Sequence, residues 1–195
     1  MRIISTLRDI ILWLAIPFQK LLQKWSRPEP EMTREQVDLV LNKIIPGDLL
    51  VSYEGGRLTS PFIKGIWDHL VVITDNVKVI EAVSPKVRIQ DTEEWLFKKK
   101  GVALIRYTKE TQINGEPIQY KVSQFVKKFI NWPYDYLFKY GNTSAYCSEI
   151  GYLSYLEYDK DFMMHKKGRE ILPQDFYDAA QKSLSNLKII AEVRN

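Results

Sequence analysis

One cysteine in a chain of 195 residues cannot close an internal disulfide, so stability must come from a packed core. That cysteine and two histidines, with no close ligand spacing among them, do not build a zinc site, and no metal or cofactor is expected. No repeat or low-complexity tract stands out. The uninterrupted apolar stretch at 10–18 is too short for a membrane span and is broken by Pro17. No small-residue cleavage pattern follows it, which argues against a cleaved signal peptide. A concentrated basic face is missing as well. Of a formal net charge of +4, residues 1–30 hold +3 and the remaining 165 residues only +1, so nucleic-acid binding is not expected. The run Lys98-Lys99-Lys100 reads as a solvated helix end.

What is present divides into an arm and a domain. In residues 1–30, Ile3, Leu7, Ile10, Leu14, Phe18, Leu21 and Trp25 recur at three- and four-residue spacing, the pattern of an amphipathic helix. Cations and Trp13 and Trp25 around that stripe suit a membrane surface met through residues 1–25. The same stripe would serve for packing on its own domain or on a second copy in a homo-oligomer. Membrane association, at a cytoplasmic face or in a cell envelope, is the favoured reading. Arg27-Pro28-Glu29-Pro30 is a stiff linker, and residues 31–195 form the domain.

Within the domain, Thr33 caps a short helix over 33–43, Pro46-Gly47-Asp48 turns into a strand at 49–53, and a hairpin follows. A short strand at 87–90 leads to Asp91, a cap before Trp95-Leu96-Phe97. A strand at 102–107, a loop at Asn114-Gly115, a helix from Pro117 onward, helices at Cys147 and at 174–184, and a strand at 187–193 complete the chain. Strands flanked by non-alternating helices indicate an α+β fold.

Cys147 is the residue that carries chemistry. The stretch Asn142-Thr143-Ser144-Ala145-Tyr146 gives way there to helical Ile150-Gly151-Tyr152, which puts the thiol in a first helical turn. Unpaired N–H groups and the positive end of the helix dipole favour a thiolate at that place. A base must be His69 or His165. His165 lies in the basic segment Met164-His165-Lys166-Lys167 without an orienting partner, whereas His69 opens the strand His69-Leu70-Val71-Val72-Ile73. The next strand, Val79-Ile80-Glu81-Ala82, offers a third group. A three-residue loop Thr74-Asp75-Asn76, with Asn76 left-handed, places His69 opposite Glu81 and both on one face; a two-residue loop separates them.

The order Pro46-Gly47-Asp48-Leu49-Leu50, then His69 opening an apolar strand, then Val79-Ile80-Glu81-Ala82, Pro133-Tyr134-Asp135 and Tyr146-Cys147-Ser148-Glu149 resembles the circularly permuted papain-like amidases of the YiiX kind. These are relatives of the NlpC peptidases and of the lecithin retinol acyltransferase group. The resemblance covers roughly residues 44–185 and leaves the arm outside. It implies a permuted papain-like core, an antiparallel sheet with packed helices, in which the sheet's histidine precedes the helix's cysteine. It also implies Cys147 as nucleophile, His69 as base and Glu81 as the group orienting the imidazole. Asp68 departs from the small residue often found before the histidine, and a carboxylate there could compete with Glu81.

The chemistry expected of such a site is acyl transfer through a thioester, on an amide in cell-wall peptide or on a lipid amide or ester. The Cys147 N–H supplies one oxyanion donor, and Tyr53 and Tyr146 are candidates for a second. Tyr134 and Tyr146 are the expected substrate contacts, although Trp132-Pro133-Tyr134 reads equally as a rigid packed turn.

Overall fold

The computed structural model describes residues 32–53, 65–139, 143–163, 170–182 and 186–194; the expected arm helix in residues 1–30 and His165 lie outside them. Thr33 caps α1 (Arg34–Leu41) as its sequence suggests: its Oγ1 accepts the Gln36 N–H, and Gln36 Oε1 accepts the Thr33 N–H at 2.8 Å. The strands are β1 (Leu49–Tyr53), β2 (His69–Ile73), β3 (Lys78–Ala82), β4 (Val87–Asp91), β5 (Gly101–Tyr107), β6 (Gln112–Ile113), β7 (Glu116–Pro117) and β8 (Leu187–Arg194). Six of them form one sheet in the order β4-β3-β2-β1-β5-β8, with adjacent strands antiparallel. Between β6 and β7, Asn114 and Gly115 both have positive φ, the backbone of a tight hairpin turn where the sequence predicts only a loop.

Between β4 and β5, Asp91 Oδ1 accepts the Glu93 and Glu94 N–H groups and starts α2 (Thr92–Leu96). The helix expected beyond Pro117 is α3 (Ile118–Phe125), tightened into a 3₁₀ turn at Val126–Phe129. The cysteine helix is α4 (Cys147–Leu156), and α5 (Pro173–Gln181) precedes β8.

The inner strands are buried on both faces, so their sequences read as apolar runs rather than alternations. On one face Leu49, Val51, Leu70, Val72, Ala103 and Ile105 pack with side chains of α3, α4 and α5. On the other, Leu50, Val71, Ile73, Val79, Val102 and Leu104 pack with Val37 and Val40 of α1 and with Trp95 and Leu96 of α2. Helix α4 is buried on nearly all sides, as a helix at the centre of a domain must be.

The β2–β3 hairpin departs from expectation by one residue. Thr74 pairs with Lys78 through the Thr74 N–H to Lys78 O bond of 2.8 Å, so the loop is Asp75-Asn76-Val77. The left-handed residue is Val77, at φ 57, in place of Asn76. Asn76 is instead held by its side chain, whose Oδ1 accepts the Thr74 hydroxyl at 2.6 Å. The lysine run also differs: Lys99 is buried, its ammonium 4.2 Å from the Trp95 ring centroid, and burial pushes its pKa down to about 7. Trp95 gives the lysine stem and charge a surface that solvation alone does not explain.

Candidate active site

The shifted loop keeps the parity that matters. Glu81 stands opposite Val71, and His69, two residues earlier on β2, lies on the same face. Their side chains meet on the diagonal, His69 Nε2 lying 2.9 Å from Glu81 Oε2 with both residues buried. A directly opposed pair, which the three-residue loop Thr74-Asp75-Asn76 requires, does not form.

Glu81 is held by several further donors. Its Oε2 also accepts the Trp95 indole N–H at 3.1 Å. Its Oε1 accepts Arg88 Nε at 2.8 Å and Arg88 Nη2 at 2.7 Å, and the amide of Gln90 bonds it too. Arg88 is the residue directly opposite Glu81 on β4. Burial alone raises a carboxyl pKa, but here the bonds and charges of His69 and Arg88 outweigh it and bring Glu81 down to about 2. An ionised carboxylate only accepts hydrogen bonds, so Nε2 of His69 carries the proton of the neutral ring and Nδ1 carries the lone pair.

Cys147 is the first residue of α4 and is buried with 5% of its surface exposed. The course of α4 fixes where that end lies. At its far end the Tyr155 hydroxyl donates to Gly47 O at 2.7 Å, and Gly47 is bonded to Ile73 at the end of β2. Midway, Gly151 sits against Leu70 and Leu49, where an added Cβ would come within 2.7 Å of Leu70 Cδ2. The helix therefore starts over the end of the sheet at which His69 opens β2. Alternation assigns His69 and Glu81 to the Trp95 side of the sheet, opposite the α4 side. Thiol and imidazole are thus brought to one rim of the sheet from different faces.

The remaining expected site residues cluster around the cysteine. Tyr134 forms a bridge with Ala145, flanked by the Asp135 N–H to Ala145 O and Ala145 N–H to Pro133 O bonds, both 3.0 Å. Its half-buried ring packs edge-on to Tyr136 at 5.0 Å. Tyr146 is buried against Phe138 at 5.1 Å, and its hydroxyl accepts the Ile171 N–H at 3.2 Å. That environment raises the Tyr146 phenol pKa, chiefly through burial. Tyr53 ends β1 at the same rim and is exposed. Asp68 is buried beside His69, while Nε2 of His69 is held by Glu81. Arg88, Gln90 and Trp95 were not among the expected site residues. Arg88 was legible only as a possible ion-pair partner of Glu81, which it is, with Lys78, the other such partner, on Asp91 instead; the arrival of Trp95 from α2 depends on tertiary packing.

Residues 43–192 match the family model described as permuted papain-like amidase enzyme, YaeF/YiiX, C92 family. Among solved structures the chain is similar to the metalloprotein yiiX from Escherichia coli O157:H7, at 20% identity and a TM-score of 0.50, over 58% of this chain and 65% of that one. That likeness spans less than two thirds of the relative and bears on the fold alone. No curated protein matches. Among the described residues no group of three or more His, Cys, Asp or Glu side chains could hold a metal ion. The family match covers most of the chain and agrees with the observed α+β architecture: this protein belongs to the permuted papain-like amidases, YaeF/YiiX, C92 family.

Proposed function

We propose that the protein is a cysteine hydrolase of amide bonds, with Cys147 as nucleophile, His69 as base and Glu81 as the group that orients the imidazole. The observation that carries this reading is the buried Glu81 carboxylate bonded to His69 Nε2 at 2.9 Å. A carboxylate there selects the tautomer whose Nδ1 accepts a proton and stabilises the imidazolium once it forms.

His69 Nδ1 takes the Cys147 proton, and the thiolate attacks the substrate carbonyl carbon. First-turn N–H groups of α4, that of Cys147 included, stabilise the resulting oxyanion, because the first turn has no intrahelical carbonyl to offer them. Collapse breaks the C–N bond, the imidazolium protonates the leaving amine, and a thioester remains on Cys147. Water deprotonated by His69 then releases the acid and restores the thiol. Transfer to an acceptor other than water is the acyltransferase variant of the same step.

The substrate is an amide of cell-wall peptide or an acyl amide of a lipid, with Tyr134 and Tyr146 as pocket residues. The arm at residues 1–25 would hold the domain at a membrane surface. Flotation with anionic liposomes tests this, and equal binding by full-length and arm-deleted protein removes the claim.

Alkylation of Cys147 at neutral pH, followed by mass spectrometry, tests the chemistry. Cys147 should react faster than a free thiol, His69→Ala should abolish that advantage, and amide turnover should fall by ~10²–10⁴-fold in the variant. Labelling at the free-thiol rate, indifferent to His69→Ala, sinks the reading.

A further inference from the structure

The two halves of the site lie far apart in sequence, and one short stretch is bonded to both. On the cysteine side, the residues flanking Cys147 grip the backbone of Ile171. The Tyr146 hydroxyl accepts its N–H at 3.2 Å, and the Ser148 hydroxyl donates to its carbonyl at 2.7 Å. Asp175 Oδ2 then accepts the Leu172 N–H at 2.8 Å and locks the start of α5. On the histidine side, Gln174 Oε1 accepts the N–H groups of Ile66 at 3.0 Å and Trp67 at 3.3 Å, three and two residues before His69 respectively. Trp67 is buried and its ring packs on Tyr177 of α5 at 5.1 Å between centroids. Gly65 leaves room for this contact: at φ 111, a Cβ on it would lie 2.1 Å from Gln174 Oε1.

We infer that residues 171–174 are a brace setting the position of Cys147 relative to His69, and that Gln174 is a positioning residue of the site. The inference rests on the cysteine–histidine reading of the site. A side-chain amide suits the task because one carbonyl oxygen accepts two successive backbone N–H groups. Its own N–H₂ is anchored on Asp178 Oδ1 at 2.7 Å within α5. The chain entering β2 is thereby tied to the segment that both neighbours of the thiol hold.

The test is the pH profile of Cys147 alkylation by iodoacetamide in the full-length protein, with thermal unfolding measured alongside. Gln174→Met keeps the length and removes the acceptor. It should lower the rate at pH 6 by roughly tenfold and move the profile towards that of a free thiol, on the scale that small misplacement costs. Gln174→Glu combined with Asp178→Asn restores an acceptor without opposing two carboxylates, and should recover most of the rate. Asp178→Ala, which spares the acceptor, should stay within about twofold of wild type. A Gln174→Met profile that overlays wild type overturns the brace. If that variant does not fold, Ser148→Ala is read in the same way, and an unshifted profile there overturns it too. Failure of the chemistry is seen separately: a wild-type thiol that is not activated, and does not respond to His69→Ala, removes the cysteine–histidine reading and the brace with it.

Discussion

His69 and Glu81 are diagonal neighbours across β2 and β3, with Val71 between them in register, and their side chains close the gap to 2.9 Å. The diagonal turns one carboxylate oxygen to the imidazole and Trp95, and the other to Arg88 and Gln90. Each oxygen therefore has a separate set of donors. Orientation of the imidazole and retention of the negative charge fall to different partners.

Replacing Glu81 with Gln should lower amide turnover by ~10–100-fold, since the amide neither matches the donors around it nor stabilises an imidazolium. The pH dependence of stability is equally specific. The folded-state pKa is held at about 2, below the ordinary 4.5, so the stabilisation is present above pH 4.5 and is lost as pH falls towards 2. That interval corresponds to on the order of 3 kcal/mol. Denaturant unfolding of both proteins at pH 7, 4 and 2.5 should show a gap that closes on acidification. A constant gap contradicts the assignment.

Trp95→Phe keeps the ring but removes the donor 3.1 Å from Glu81 Oε2. A hydrogen bond to a charged group contributes about 1.5–3 kcal/mol, so kcat should fall by about tenfold while KM holds. Unchanged kcat with an unchanged pH profile would assign Trp95 to packing alone.

Gly151→Ala reverses the usual helix rule. Alanine in place of an interior glycine ordinarily stabilises a helix by about 1 kcal/mol, but here its Cβ would meet Leu70 Cδ2 at 2.7 Å in a filled core. Overpacking should cost about 1–3 kcal/mol and displace the start of α4, lowering kcat. Adding Leu70→Ala should restore part of the activity by opening space. Thermal unfolding and kinetics of the single and double variants check this.

Val77→Asn should do the opposite. Val77 is exposed and left-handed, a conformation that costs a β-branched residue about 1–2 kcal/mol and that Asn tolerates. The variant should gain about 1 kcal/mol in denaturant unfolding, with turnover untouched. No gain would mean that the loop relaxes around the side chain.

Cap residues, turn signals and the spacing of β2 and β3 make much of the fold legible in the sequence. Thr33 and Asp91 cap the helices they precede, and His69 and Glu81 share a face. Local rules identify these because the groups involved lie within a few residues or along one hairpin. The exact register escaped, because Val77 takes a conformation that its side chain disfavours and the tertiary structure imposes. Lys99 beneath Trp95, Trp95 on Glu81 and Gln174 on Ile66 and Trp67 escaped for other reasons. The last two join elements whose mutual placement no spacing encodes, whereas Lys99 stands four residues after Trp95, a helical spacing that the reading of the lysine run as solvated passed over.

The inner strands have both faces filled, by α3, α4 and α5 on one side and by α1 and α2 on the other. With both faces covered, the proposed chemistry would be reached edge-on, from the rim at which His69 opens β2. The buried His69, Glu81 and Trp95 sit in that same packed interior, so a change in core packing reaches the site directly.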